Sequence, residues 1–116
     1  DENQVMKFLE TVPKQFTIHA RNPERSVTVG DGVSVFAPAY GAPFLVDHEV
    51  GKREPTIDDY HALVKLAHEL PNQDLSGYLL VEPSDVAPRE AHLHMLYAHM
   101  LHSDKAFIGS AEGKLG

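Results

Sequence analysis

The sequence predicts an α/β fold built from parallel βαβ units, and three observations lead there. Short apolar runs at residues 33–37, 77–81 and 106–109 have the length and composition of buried strands. Between them lie two stretches of helical periodicity, 56–70 and about 88–102. The resulting order of strand, helix, strand, helix, strand is the signature of right-handed parallel crossovers. Doubly wound sheets and (β/α) barrels share it, so periodicity does not choose between them.

Each element has a local reason. Val5, Met6, Leu9 and Val12 are spaced for a short amphipathic helix over residues 3–12, which Pro13 would end. Residues 16–20 and 26–29 alternate apolar and polar side chains around Arg21-Asn22-Pro23-Glu24, which has the composition of a turn; together they read as a β-hairpin with one covered face. Gly30-Asp31-Gly32 makes a second turn into the first apolar run. Thr56 is a good N-cap, with Asp58 and Asp59 in the following turn, and Tyr60, Leu63, Val64, Ala67 and Leu70 recur at helical spacing up to Pro71. In the second helix Leu93, Leu96, Tyr97, Met100 and Leu101 form the expected apolar side. Two regions result: residues 1–32, a helix and hairpin, and residues 33–116, the βα units.

Three strands and two helices close poorly. A (β/α)8 barrel takes about 250 residues, and an open three-stranded sheet leaves two unpaired edges. The 116 residues are therefore expected to be a piece of a longer polypeptide, or else to bury their edges by self-association as a homo-oligomer.

Composition narrows the function classes. With 42% hydrophobic and 23% charged residues the chain has the make-up of an ordered globular protein. Ten Lys and Arg against 17 Asp and Glu give a net charge of −7, which disfavours nucleic acid and an anionic membrane surface. No apolar run is long enough for a transmembrane helix. Asp1-Glu2-Asn3-Gln4 lacks the basic-then-apolar order of a secretion signal, and there is no cysteine for disulfides or thiolate sites. A cytoplasmic location is the expectation.

Three stretches carry a family resemblance: FTIHARNPERSVTVG at 16–30, VFAPAYGAPFLVD at 35–47 and YAHMLHSDKAFIGS at 97–110. In this order and at these separations they resemble the N-terminal part of the trimethylamine methyltransferase family, and the intervening TIDDYHALVKLAHEL and GYLLVEPSDVAP are similar to that family's first βα units. The resemblance implies a (β/α)8 TIM barrel of which this chain is an incomplete segment, about two and a half βα units after the N-terminal helix and hairpin. It implies transfer of a methyl group from a methylated amine (trimethylamine, glycine betaine or a relative) to the cobalt of a corrinoid, supplied by a partner protein and not bound directly here. Some family members depend on pyrrolysine and others lack it; that region lies downstream of the residues present, so this segment by itself is expected to be inactive.

In barrel enzymes the site lies at the C-terminal ends of the strands, which here selects residues 38–44, 82–85 and 109–110. Tyr40 and Phe44 are the leading candidates for substrate binding. A quaternary ammonium donates no hydrogen bond, but an aromatic face holds it at about 0.5–2 kcal/mol per ring. The plainer role for both rings is to plug the barrel mouth. Glu82, at a strand end before Pro83, is the third candidate, as a carboxylate balancing the ligand's charge or as a helix cap. Asp85 reads as a turn or cap residue.

The eight histidines offer no convincing metal set. His92 and His94 diverge on a helix, His99 and His102 share a face without a third ligand, and His61 and His68 are too far apart for one ion. They read as solvent-facing or packed between helices. His19, Arg21 and Asn22 read as a solvated turn, with contact to a corrinoid partner as the functional alternative, and Ser103-Asp104-Lys105 as a stabilising segment. Two rival functions remain: a non-catalytic, self-associating module that binds a small molecule or a protein, and an unrelated barrel enzyme with similar opening units.

Overall fold

The computed structural model describes residues 1–109. Helix α1 (Glu2–Glu10) is capped by the Asp1 side chain, which accepts from the Gln4 amide at 2.9 Å, and it stops at Thr11. None of its residues is buried, and among the described residues α1 packs on no other helix or strand. Strands β1 (Gln15–Ile18) and β2 (Val27–Gly30) form the expected antiparallel hairpin, with Phe16 opposite Val29 and Ile18 opposite Val27. Gly30 closes it at φ +109°, where a Cβ would sit 2.2 Å from the Lys14 carbonyl oxygen, so only glycine fits.

The turn of this hairpin is not simply solvated, as its composition implies. The Asn22 amide donates to the Asp104 carbonyl at 3.2 Å, Arg25 pairs with the Asp104 carboxylate at 3.3 Å, and the Arg21 guanidinium donates to the Met100 carbonyl. Asp104 therefore ties the hairpin to the far end of the described chain.

A second hairpin, β3 (Leu45–Asp47) with β4 (Gly51–Arg53), has no counterpart in the sequence reading. Its turn is built by Asp47, whose Oδ1 accepts from the Glu49 and Val50 amides at 2.8 and 3.2 Å.

Helix α2 (Ile57–Glu69) begins where expected, at Thr56, in a reciprocal capping box with Asp59. Tyr60, Val64 and Ala67, at i, i+4 and i+7, form its buried face. At its C-terminal end the buried Lys105 donates to the Ala67 and Leu70 carbonyls at 2.9 and 2.7 Å, supplying partners that helix-end carbonyls lack. Helix α3 (Pro88–His102) packs on α2 and begins with Pro88 at its first position.

The buried face of α3 is not the expected one. Met95, Ala98 and His99 point inward, while Leu93, Leu96, Tyr97, Met100 and Leu101 are 37–60% exposed. Both sides of this helix are apolar, and small Ala91 and Ala98 on the inward side let it approach closely. With Tyr60, Val64, Tyr78, Leu80 and Val81, Met95 and Ala98 form the core.

The three apolar runs lie side by side without forming regular strands. Phe36 O accepts from the Asp74 and Leu75 amides (2.9 and 3.1 Å), and Ser76 N donates to Ala106 O at 3.0 Å. Parallel bridges join Ala42 to Val81 and Leu75 to Ala106. The sequence predicts strands at 33–37 and 77–81, but the first holds only an antiparallel bridge from Val33 back to Gly30 and the second only the bridge at Val81, while 106–109 keeps one bridge at Ala106. Pro38 and Pro43 remove amide donors from the stretch that continues the first run, and Gly77 leaves the extended region at φ +74°. Among the described residues no helix is long and apolar enough to cross a membrane.

Candidate functional site

Two backbone bonds join the loop at 38–44 to the end of the second apolar segment. The Gly41 amide donates to Leu79 O at 2.6 Å, and the Glu82 amide donates to Ala42 O at 3.2 Å. This exchange holds the chain around Tyr40 beside the chain around Glu82. Their side chains are exposed, Tyr40 to 66%. The Glu82 side borders a depression of about 280 Å³ lined by Leu79, Pro83, Pro88, Ala91 and Met95. A more apolar depression of about 270 Å³, with Pro38, Ala39, Ala42, Leu45, Leu63 and Val81 among its lining, lies on the α2 side of the same loop.

Phe44 has a different setting. The Lys52 ammonium of β4 sits 3.9 Å from its ring centre, so this ring already binds a cation of the chain itself. The outermost hairpin thereby folds back on the loop. Of the two candidate rings, Tyr40 is the more open to a ligand.

Asp85 proves to be a cap, and an unexpected one. Its Oδ1 accepts from the Ile57 amide at 2.8 Å, which serves the start of α2, while the N-cap position of α3, Ala87, makes no side-chain bond. Ser84 adds two bonds to Pro55 O, from its amide at 2.9 Å and its hydroxyl at 3.0 Å. Of the third candidate segment, Gly109 is exposed and Ser110 lies outside the described residues.

Sequence reasoning missed a buried polar chain beneath the loop. Ser76 Oγ lies 3.1 Å from His99 Nδ1, His99 Nε2 lies 3.0 Å from the Tyr60 hydroxyl, and that hydroxyl donates to the Tyr78 carbonyl. The His99, Tyr78 and Phe107 rings form a cluster of near-parallel planes, with centroids 5.9 Å apart for Tyr78 and His99, 4.9 Å for His99 and Phe107, and 6.1 Å for Tyr78 and Phe107. Burial lowers the His99 pKa and raises that of Tyr60, so both stay neutral at ordinary pH. The available signal was positional: His99 follows Ala98 on the stripe that also holds Ala91 and Met95.

The other histidines are dispersed. His61 Nδ1 and His102 Nε2 are 2.8 Å apart between α2 and α3, and His68 approaches the Asp104 carboxylate at 3.5 Å. Among the described residues no three metal-ligating side chains of the His, Cys, Asp and Glu types converge. At the α2 N-terminus Arg53 grips Asp59 with two bonds of 2.6 and 2.7 Å, and those bonds hold the Asp59 carboxyl well below the usual carboxylate range.

Compared with known families, the sequence matches trimethylamine methyltransferase (MTTB) over residues 1–115. The chain belongs to the trimethylamine methyltransferase family. Glycine betaine methyltransferase from Desulfitobacterium hafniense (strain Y51) is 46% identical over 106 residues. That similarity covers 91% of this chain and 22% of the relative, so the chain spans less than a quarter of that relative's length. The family match takes in both hairpins, the 38–44 loop and both crossover helices.

Proposed function

We propose that this chain supplies the opening βα units of a (β/α)8 barrel in an enzyme that moves a methyl group from glycine betaine, or a closely related methylated amine, to a corrinoid protein. The observation that carries the substrate class is the 46% identity to a glycine betaine methyltransferase across nearly the whole chain. The barrel reading is supported by three side-by-side segments linked by parallel bridges, with α2 and α3 as the crossovers between them.

In this reading the 38–44 loop forms one wall of the cation site. The Tyr40 face attracts the trimethylammonium group through its ring quadrupole. Glu82, on the chain bonded to that loop, supplies the balancing negative charge, and neighbouring Pro38, Ala39 and Ala42 keep water from the methyl groups. The corrinoid is the methyl acceptor, carried by a second protein, and it supplies the nucleophilic metal centre. The contribution of this chain is to bind and orient the amine in a site with little water.

The test is methyl transfer to the reduced corrinoid protein by the complete enzyme, followed by the cobalt absorbance change, with glycine betaine and trimethylamine compared. Transfer from betaine is expected. Tyr40→Ala should weaken amine binding by about 1–2 kcal/mol while leaving the circular dichroism unchanged. A folded variant with unaltered affinity removes Tyr40 from the site, and no transfer from any methylated amine overturns the activity.

A further inference from the structure

We infer that the Tyr60 hydroxyl, oriented by His99, is a positioning group that sets the loop bearing Tyr40 from the far side of the second apolar segment. This rests on the reading of that loop as part of the amine site, but its first test does not need the amine.

The hydrogens of the buried chain follow from its one fixed direction, the Tyr60 hydroxyl donating to a carbonyl. A carbonyl oxygen only accepts, so the Tyr60 hydroxyl donates to Tyr78 O. The Tyr60 oxygen then accepts from His99 Nε2 at 3.0 Å, which leaves His99 Nδ1 to accept from the Ser76 hydroxyl at 3.1 Å. His99 is therefore the neutral Nε2–H tautomer. Tyr60 and Ser76 are fully buried and His99 is 1% exposed, so no water competes for these bonds. The imidazole packs against the rings of Tyr78 and Phe107, and these contacts resist its turning.

The end of this chain is a backbone peptide, and its neighbour holds the loop. Tyr60 grips the carbonyl of Tyr78; the next carbonyl, Leu79 O, accepts from the Gly41 amide at 2.6 Å. Fixing one peptide plane restricts the next, and Gly41 is bonded directly to Tyr40 in sequence. The return bond from Glu82 N to Ala42 O completes the clamp. Packing of α2 against α3 is thus transmitted through one hydroxyl to the residues proposed to face the ligand. Ser76 sits at the opposite end of the chain and touches no part of the clamp through it.

That asymmetry supplies the test. Tyr60→Phe and Ser76→Ala each delete one buried hydroxyl and keep the surrounding packing. In the complete enzyme, amide exchange at Gly41 and Glu82 should quicken roughly tenfold in Tyr60→Phe, the factor set by one lost hydrogen bond, and stay near the parent rate in Ser76→Ala. With the corrinoid protein present, KM for the methylated amine should rise by a comparable factor in Tyr60→Phe only, with kcat less affected. If Tyr60→Phe does not fold, His99→Phe, which keeps an aromatic ring against Tyr78 and Phe107, should move both readouts the same way by a smaller factor. Unchanged exchange in these variants, or equal changes in Tyr60→Phe and Ser76→Ala, overturns the inference. Faster exchange with unchanged KM supports the positioning of the loop by Tyr60 and instead overturns the assignment of that loop to the amine site.

Discussion

Helices α1 and α2 start from similar instructions and end in opposite situations. Both open on a side-chain cap, Asp1 in one and Thr56 in the other, and both carry acidic residues in the first turn. Both present apolar side chains at helical spacing. Yet α2 buries Tyr60, Val64 and Ala67, whereas Val5, Met6, Phe8 and Leu9 of α1 are all more than half exposed. The difference is what stands opposite. Across from α2 are α3 and the segment at 75–82; across from α1 there is, among the described residues, no other helix or strand. Caps and periodicity specify that a helix forms, and a partner decides whether its apolar face contributes to stability.

The comparison is sharpest at single side chains. Val64→Ala should cost about 2–3 kcal/mol in urea denaturation of the whole chain, from lost burial and the cavity left behind. Leu9→Ala in α1 should cost under about 0.5 kcal/mol. A loss at Leu9 as large as that at Val64 would break the contrast and mean that a surface beyond the described residues covers α1.

The C-terminal end of α2 gives the next largest effect. Lys105→Met keeps the buried stem but strips partners from the Ala67 and Leu70 carbonyls. A loss of about 2 kcal/mol is expected by the same denaturation assay. Among the described residues α1 has no such contact, so an unchanged midpoint would show that its end and that of α2 are equally served by water.

The smallest effect is in pH. Burial lowers the folded-state pKa of His99, so in the window below the unfolded value of about 6.5 the unfolded chain takes up a proton that the folded chain does not. Stability is thus full above that value and declines as pH falls toward the folded pKa. The slope from this group is at most about 1.4 kcal/mol per pH unit. His102, lowered by burial and by nearby Lys65 and His61, acts in the same direction. Stability measured between pH 7.5 and 5.5 should fall with pH, less steeply in His99→Gln. An equal slope in that variant would assign the effect to other groups.

Much of this architecture was legible in the residues. Thr56 and Pro88 mark the starts of α2 and α3 because caps act over a few residues and need no tertiary context. The first hairpin was legible for the same reason. The second was not, since three-residue strands carry too little alternation, although Asp47 two residues before Glu49 was a usable turn signal. The apolar runs were read as strands because apolar composition reports burial; the hydrogen-bond ladder depends on neighbours and on Pro38, Pro43 and Gly77. On α3 two apolar faces competed, and the smaller side chains, not the larger, marked the packed one. At the candidate site, the positions of Tyr40 and Glu82 at segment ends were readable. The Lys52 contact with Phe44 and the His99 chain join residues far apart in sequence, so no local pattern announced them.

The contact between Asp85 and the start of α2 has a consequence for how this region comes apart. Residues 84 and 85 lead into α3, yet their bonds go to Pro55 and Ile57 at the start of α2, so two units of a helix and its preceding segment are joined. Neither unit can therefore melt without disturbing the other, and the two should behave as one cooperative block. A mutation that loosens the second crossover would then also fray the first turn of α2, where it touches nothing.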